Sequence, residues 1–589
     1  MNRQPKSNFS LPMVKSYLRF VPEAAFGVIT STNSNALADR SGRYCITPAL
    51  EDVIVWQWKQ GSVVGRWHDP ENHKNEVTCI APSPAEHDEI YAVGYADGSI
   101  RLWTLNGHRL LVTFRGHKQA VTALRFDAEG ARLISGAKDT DIVLWDVVNE
   151  VGLFRLLGHK DQVTSLHLLK SGSHLISTSK DTLIKIWDLS TQHCIETVIG
   201  HRNEIWSSIL LCDETKLLTG TSSEIRVWDL RKDLLQDKLR PEETETMDVD
   251  GDEAFEMSKA KQALKFNAVL PRMSKEKVMG LIAHSKLPYF ACHSSDKTVE
   301  IFKISNQDEL KKKLNRRVKR QQEKKKSTQE GEQEVSLKVT DEFVSTHFIR
   351  ASAKVRSCDF LMNDRKDGLI QILMSLSNNS IEIYGFYPKA KDYDLSGVLD
   401  IPGHRHDVRV VAISSDDQMI LTASQGAIKI WNPLTHQCTR TMHCDGDFPV
   451  CASFVPGNRY VLVGQKSGDL DIYDIWSSVL VERIKAHEGT LWSIDVRPDK
   501  KGFITGGADK DVKFWDFGAV EEESTSTRRL TALHMRTLRM PDEVLCVKHT
   551  PNQRLVAVAL LDATVKVFFH DTLKFFLSLY GHKVSHLYF

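Results

Sequence analysis

Residues 116–146 read GHKQAVTALRFDAEGARLISGAKDTDIVLWD, and residues 158–188 read GHKDQVTSLHLLKSGSHLISTSKDTLIKIWD. The two stretches have the same length, and each opens on Gly-His and closes on Trp-Asp. Gly116-His117, Gly158-His159 and Gly200-His201 are spaced 42 residues apart both times. Trp145-Asp146, Trp187-Asp188 and Trp228-Asp229 follow at intervals of 42 and 41. His117, Ser135, Asp139 and Trp145 recur in phase as His159, Ser177, Asp181 and Trp187, and again as His487, Thr505, Asp509 and Trp515. In every set Asp lies 22 residues after His, and Trp six after Asp. Between the markers, Leu124-Arg125-Phe126, Leu133-Ile134-Ser135 and Ile142-Val143-Leu144-Trp145 alternate and are split by polar turns. That is the pattern of short, half-buried antiparallel strands.

A period of 40–45 residues that opens on Gly-His and closes on Trp-Asp is the mark of WD-repeat propellers, whose blades hold four strands each. The predicted fold class is therefore all-β: tandem WD-repeat β-propellers, the first seven-bladed and the second incomplete. The fixed spacing carries a structural reading. The Asp carboxylate in a tight turn accepts from the His imidazole, and the Ser/Thr hydroxyl joins His to the Trp indole N–H. Such a network satisfies buried polar groups that otherwise cost about 1–3 kcal/mol each. The unit opened by Gly200-His201 is degenerate, with Ser223 near the expected Asp and Trp228 one residue early, so its network is expected to be incomplete.

Weaker units extend the array. Asp52 to Trp56 closes a first blade, and Val77 to Trp103 forms a second. Ala291 to Phe302 and Ser357 to Tyr384 supply two without Trp-Asp, giving seven blades. A second series runs from Gly403-His404 to Trp431-Asn432, then Phe454 to Tyr473-Asp474, Ala486-His487 to Trp515-Asp516, and Val544 to Phe568. Gly581-His582-Lys583 opens a further unit. The expected organisation is a polar extension over 1–13, a first propeller over 14–400, and about four blades plus a stub of a second over 401–589. Such an open ring calls for completion by another chain or marks a chain cut short, and it exposes an edge strand.

Two insertions interrupt the first propeller, at 231–275 and 304–345. Residues 242–256 carry eight acidic residues and no basic one, and residues 311–326 carry ten Lys/Arg and one Glu. Both read as polar loops, although Leu314 and Val318 are i,i+4 neighbours and allow a short helix. Lys311, Lys312, Lys313, Arg316, Arg317, Lys319, Arg320, Lys324, Lys325 and Lys326 form a candidate nuclear-import signal or RNA contact. A solvated helical face is the plain alternative.

The chain of 589 residues has 77 Lys+Arg against 76 Asp+Glu, a formal net charge of +1. That balance excludes wholesale coating of nucleic acid but leaves room for a local basic patch. A hydrophobic fraction of 41% suits packed cores rather than disorder. No apolar run reaches the roughly 18 residues that span a bilayer, and the N-terminal residues lack the apolar core of a signal peptide. The ten cysteines form no CxxC pair, which points to free thiols in a reducing compartment. His436, Cys438, His443 and Cys444 straddle a strand end and the next blade, a poor metal set. No phosphate-binding loop, dinucleotide fingerprint, zinc-protease motif or nucleophile elbow occurs. His, Ser and Asp do recur together, but in blade after blade and with a Trp, as architecture needs and catalysis does not. The expectation is a non-enzyme without cofactor or metal.

Met13 to Val28 (MVKSYLRFVPEAAFGV), Gly94 to Gly98 (GYADG), Ser135 to Asp146 (SGAKDTDIVLWD), Thr191-Gln192-His193-Cys194, Gly506 to Lys510 (GGADK) and Thr572 to Lys583 (TLKFFLSLYGHK) resemble the family of WD-repeat protein three and its fungal counterpart, the twelfth U-three-associated protein. The likeness covers the chain from Met13. It implies tandem propellers followed by a helical C-terminal domain, and against that pattern this chain stops before the second propeller closes. It further implies a nucleolar scaffold of the UTP-B subcomplex in the small-subunit processome. The implied partners are other UTP-B and processome proteins, pre-rRNA and the U-three small nucleolar RNA. Neither a membrane nor a small-molecule substrate is expected. The alternative is a WD-repeat adaptor that presents substrates to an enzyme complex such as a ubiquitin ligase.

Overall fold

The computed structural model describes residue 25 and residues 27–69, 75–84, 89–237, 262–325, 338–362, 368–388, 390, 392–400, 403–444, 448–521 and 528–581. Within them the chain forms eleven four-stranded antiparallel sheets, each built from consecutive strands. We number them blades 1 to 11.

The strand pattern follows from burial. In blade 3 the second and third strands, Arg132–Ala137 and Ile142–Asp146, are buried almost throughout, whereas the fourth, Val151–Leu156, is largely exposed. The inner strands are covered on both faces by neighbouring blades, so they read as continuous apolar runs. The cores lie between blades. Ile134, Leu144 and Leu156 of blade 3 pack in one cluster with Val163, Leu175 and Trp187 of blade 4. Each such side chain contributes about 1.5–3 kcal/mol by leaving water, so a blade gains most of its stability from its neighbours.

One irregularity recurs in all eleven sheets. The register between third and fourth strands shifts immediately before an aromatic residue: Trp56, Trp103, Trp145, Trp187, Trp228, Phe302, Tyr384, Trp431, Tyr473, Trp515 and Phe568. Phe302, Tyr384, Tyr473 and Phe568 thus hold the Trp position in the four blades that lack the Trp. A bulge bends and twists a strand, and here it seats a large ring at the same place in each blade.

The first seven blades close on themselves. Thr78 of blade 2 donates to Val121 O of blade 3 (2.5 Å), and Thr122 of blade 3 to Val163 O of blade 4 (2.5 Å). At the closure, the Ala36 N–H donates to Ser357 Oγ (2.9 Å) and the Ala38 N–H to Asp359 Oδ2 (2.8 Å), joining blade 1 to blade 7. Blades 8 to 11 continue the pattern. Cys451 Sγ meets Leu491 O (3.4 Å), and the Val547 N–H donates to Ser493 Oγ (3.2 Å). Between the two series, Asn379 of blade 7 donates to Gly27 O (2.8 Å). Gly27 lies so close to Trp431 of blade 8 that an added Cβ would stand 2.4 Å from Cη2.

The insertions differ from the sequence expectation in extent and in form. The expected 231–275 insertion contains the helix α1 (Lys232–Asp237) and the fourth strand of blade 5, Leu264–Leu270. The expected 304–345 insertion overlaps the fourth strand of blade 6, Phe343–Arg350. The basic run is a helix rather than a loop: α2 (Gln307–Lys325) is followed by the short α3 (Val339–Glu342). Asp308 and Glu309 in the first turn of α2 complement its dipole. The acidic run 242–256, Lys326, the His582-Lys583 stub and residues 1–24 lie outside the described residues.

Candidate nucleic-acid interface

Polar networks brace the frame of blades 3, 4 and 10. In blade 3, His117 Nδ1 lies 3.1 Å from Asp139 Oδ1, and Nε2 lies 2.7 Å from Ser135 Oγ. The Trp145 indole N–H donates to that hydroxyl at 2.8 Å. Blade 4 repeats this with His159, Asp181 (2.8 Å), Ser177 (2.7 Å) and Trp187 (2.8 Å). Blade 10 repeats it with His487, Asp509 (2.9 Å), Thr505 (2.8 Å) and Trp515 (2.9 Å). Burial holds His117 and His487 below the usual imidazole range against the opposing pull of Asp139 and Asp509, so both rings are neutral near pH 7. A neutral ring then donates Nδ1–H to the carboxylate and accepts the hydroxyl proton at Nε2. The hydroxyl in turn accepts the indole N–H. Within these three networks the imidazole, carboxylate, hydroxyl and indole are all engaged with one another, as a structural role requires.

In blades 3 and 5 the glycine before the histidine has a packing role that spacing alone does not reveal. A Cβ added at Gly116 would stand 2.7 Å from Trp145 Cη2, and one at Gly200 would stand 2.4 Å from Trp228 Cη2. The indole edge fills the space a side chain would need.

Other blades vary the scheme. In blade 8, His404 Nδ1 lies 2.6 Å from Ser424 Oγ and Nε2 lies 2.6 Å from Thr422 Oγ1, which accepts from Trp431 (2.7 Å). Thr422 stands 18 residues after His404, the same interval as Ser135 after His117, and this was the signal available in the sequence. In blade 5, His201 Nε2 lies 3.0 Å from Thr219 Oγ1, but the buried Nδ1 has no partner. Cys438 lies beside Thr441 Oγ1 (3.5 Å), and Cys444 receives the Gln465 side-chain N–H (3.0 Å). Among the described residues no cluster of three His, Cys, Asp or Glu could hold a metal ion.

The basic helix α2 stands on the opposite side. Successive antiparallel strands place the His-bearing connection and the second-to-third-strand turn at one end of each blade. The third-to-fourth connection falls at the other. Both insertions occupy third-to-fourth connections, of blades 5 and 6, and so leave from the same face. On α2, Leu310, Lys313, Leu314 and Arg317 are partly buried, at the i, i+3, i+4, i+7 spacing of one helix face. Lys313 Nζ donates to Asp341 O (2.7 Å) and Ser305 Oγ (3.2 Å). Arg317 grips the Asp341 carboxylate with both terminal nitrogens, at 2.5 and 2.7 Å. Lys216 of blade 5 bridges Asp229 (2.6 Å) and Glu342 (3.4 Å), tying the insertion of blade 6 to its neighbour.

The ten basic residues therefore do not act alike. Lys313 and Arg317 anchor the helix. Lys311, Lys312 and Arg316 are exposed on its outer side. Lys319, Arg320, Lys324 and Lys325 continue the helix backbone, with side chains outside the described residues. The anchoring pair was missed because its partner, Asp341, lies 24 residues further on and follows no repeat.

Two family models match the chain: the WDR3 first beta-propeller domain over residues 43–230 and the WDR3 second beta-propeller domain over residues 407–588. WD repeat-containing protein 3 of Homo sapiens is 42% identical over 601 residues, covering 97% of this chain and 63% of its own length. The Mus musculus protein of the same name is 41% identical over 602 residues, with 97% and 62% covered. The U3 small nucleolar RNA-associated protein 12 of Saccharomyces cerevisiae is 36% identical over 604 residues, with 97% and 61% covered. The chain thus spans a little over three fifths of the length of these relatives. With eleven blades in two tandem series, both domain models in order and likeness over nearly its whole length, the chain belongs to the family of WD repeat-containing protein 3 and U3 small nucleolar RNA-associated protein 12.

Proposed function

We propose that the protein is a non-catalytic scaffold of ribosome biogenesis, acting in the nucleolus within the UTP-B subcomplex of the small-subunit processome. In this reading it binds other processome proteins, pre-rRNA and the U-three small nucleolar RNA during maturation of small-subunit rRNA. The observation that carries it is likeness over 97% of the chain to a yeast protein named as associated with that RNA. The structure supplies a fitting mechanism. Rigid blades hold loop faces for protein partners, and α2 displays Lys311, Lys312 and Arg316 where a phosphate backbone could release counterions on binding.

Affinity purification through an N-terminal tag tests the proposal. Recovery of processome proteins together with pre-ribosomal RNA is the expected result. Recovery of ubiquitin-ligase subunits without ribosomal RNA would overturn it in favour of a substrate adaptor.

A further inference from the structure

Blade 5 lacks the turn carboxylate that completes its neighbours. Ser223 stands 22 residues after His201, the position Asp139, Asp181 and Asp509 hold relative to their own histidines. In blade 8, which also lacks it, Ser424 steps in at 2.6 Å. In blade 5 nothing does: His201 is 7% exposed, and its Nδ1 is buried without a partner. The space is an open cavity of about 450 Å³ lined by Gly200, His201, Arg202, Asn203, Thr221, Ser223, Glu224 and Arg226.

We propose that this socket binds a carboxylate from an acidic segment of a partner protein, which takes the place of the missing aspartate. Three observations point to that chemistry. First, the intact blades show what His Nδ1 and the adjoining loop accept. In blades 3, 4 and 10 the carboxylate receives both the imidazole and the N–H of the next residue, Lys118 (2.8 Å), Lys160 (3.0 Å) or Glu488 (3.2 Å). Arg202 is the corresponding residue here. Second, burial and the Arg226 charge hold His201 down to about 4, so the ring is neutral and offers one N–H rather than a cation. Third, the surroundings favour a chain of acidic residues over a single ion. Arg202 is exposed at the rim, and the same loop carries Trp206, with Lys180 Nζ 4.2 Å and Lys277 Nζ 3.1 Å from its ring centroid. Glu204 and Glu224 are the opposing charges, and Glu224 already pairs with Arg226 at 2.6 Å. That carboxylate within the lining favours a monoanion over the doubly charged end of a phosphate.

The socket lies on the face opposite α2, so one face would take acidic peptide while the other takes RNA. The inference does not depend on the ribosome-assembly reading, because it is tested with the purified chain and a synthetic peptide. The probe is a fluorescein-labelled decapeptide of alternating Asp and Glu, read by anisotropy, with an Asn/Gln decapeptide as control. Saturable binding of the acidic peptide alone is expected. Ser223→Asp should fill the socket from within, raise the melting temperature and weaken the peptide at least tenfold. Arg202→Gln, at an exposed position, should weaken it severalfold with the melting temperature unchanged. Equal binding of the two peptides would overturn the proposal, as would unchanged affinity in both variants. So would competition by a single-stranded RNA oligonucleotide that persists in Ser223→Asp.

Discussion

Consider replacing Asp181 by alanine. Its carboxylate is 5% exposed and accepts three hydrogen bonds: from His159 Nδ1 (2.8 Å), Lys160 N–H (3.0 Å) and Leu183 N–H (3.0 Å). Burial alone would raise its pKa. The bond from His159, then those from Lys160 and Leu183, overcome that and bring it from 3.8 down to about 2. At about 1.4 kcal/mol per pH unit this preference for the charged form is worth about 2 kcal/mol. The cost of stranding the fully buried His159 N–H, about 1–3 kcal/mol, measures much the same interaction from the other side. The two are not summed, and a loss of about 2–3 kcal/mol is expected. The sign follows from the direction of the shift. A depressed carboxyl contributes its full stability above about pH 4 and loses it as the pH falls towards 2. The difference between wild type and Asp181→Ala should shrink over that window. A chain of many blades does not unfold in one step, so the assay is hydrogen exchange resolved to peptides. Protection should fall in Val163–Leu168 and Leu183–Asp188, and little in blades 8 to 11. Asp213, 95% exposed beside Lys170, is the control. Equal effects of Asp181→Ala and Asp213→Ala would refute the network as a stabilising element.

Gly116→Ala should destabilise blade 3 by about 1–3 kcal/mol through overpacking against Trp145, whereas Gly172→Ala, with open space around it but a positive φ, tests backbone strain alone; melting curves compare them. At the ring closure, burial raises the Asp359 carboxyl to about 7 against the Ala38 and Phe360 N–H groups that favour its charge. The folded state then holds this proton more tightly than the unfolded state and loses stability as the pH rises from about 4 to 7. Melting temperatures should therefore show Asp359→Asn gaining on wild type between pH 5 and pH 8, and a constant difference would count against this. Changing Lys311, Lys312 and Arg316 together to Gln should lower RNA retention and reduce the log–log salt slope by about 2, without altering the melting temperature. Retention unchanged at every salt concentration would remove α2 as an RNA contact.

How far the fold could be read from the sequence depended on which strand was being read. Inner strands are clamped between blades, so their apolar content is forced, and markers such as Trp145 and Trp187 sit at a bulge that every sheet repeats. The incomplete network of blade 5 was legible for the same reason, since Ser223 breaks a fixed interval. The fourth strand packs only one face. Leu264–Leu270 buries just its two end residues fully, carries no marker, and so disappeared into the expected insertion. The helix α2 was hidden by its own composition. Its half-buried stripe uses Lys313 and Arg317 where a pattern reader looks for apolar residues, and their long stems cover surface while their charges find Asp341.

That same division explains where the chain tolerates novelty. A third-to-fourth connection joins a partly exposed outer strand at the end of the blade away from the His–Asp turn. It can lengthen without touching the polar network or the clusters between blades. Blades 5 and 6 both lengthen there, so α1 and α2 leave from one face. Change on the opposite face is costlier, because it strands a buried group. Blade 8 absorbs the missing carboxylate with Ser424, and blade 5 leaves His201 Nδ1 open. A buried donor without an acceptor costs about 1–3 kcal/mol until something fills it. The free chain would carry that cost in blade 5, and a carboxylate from outside would remove it on binding.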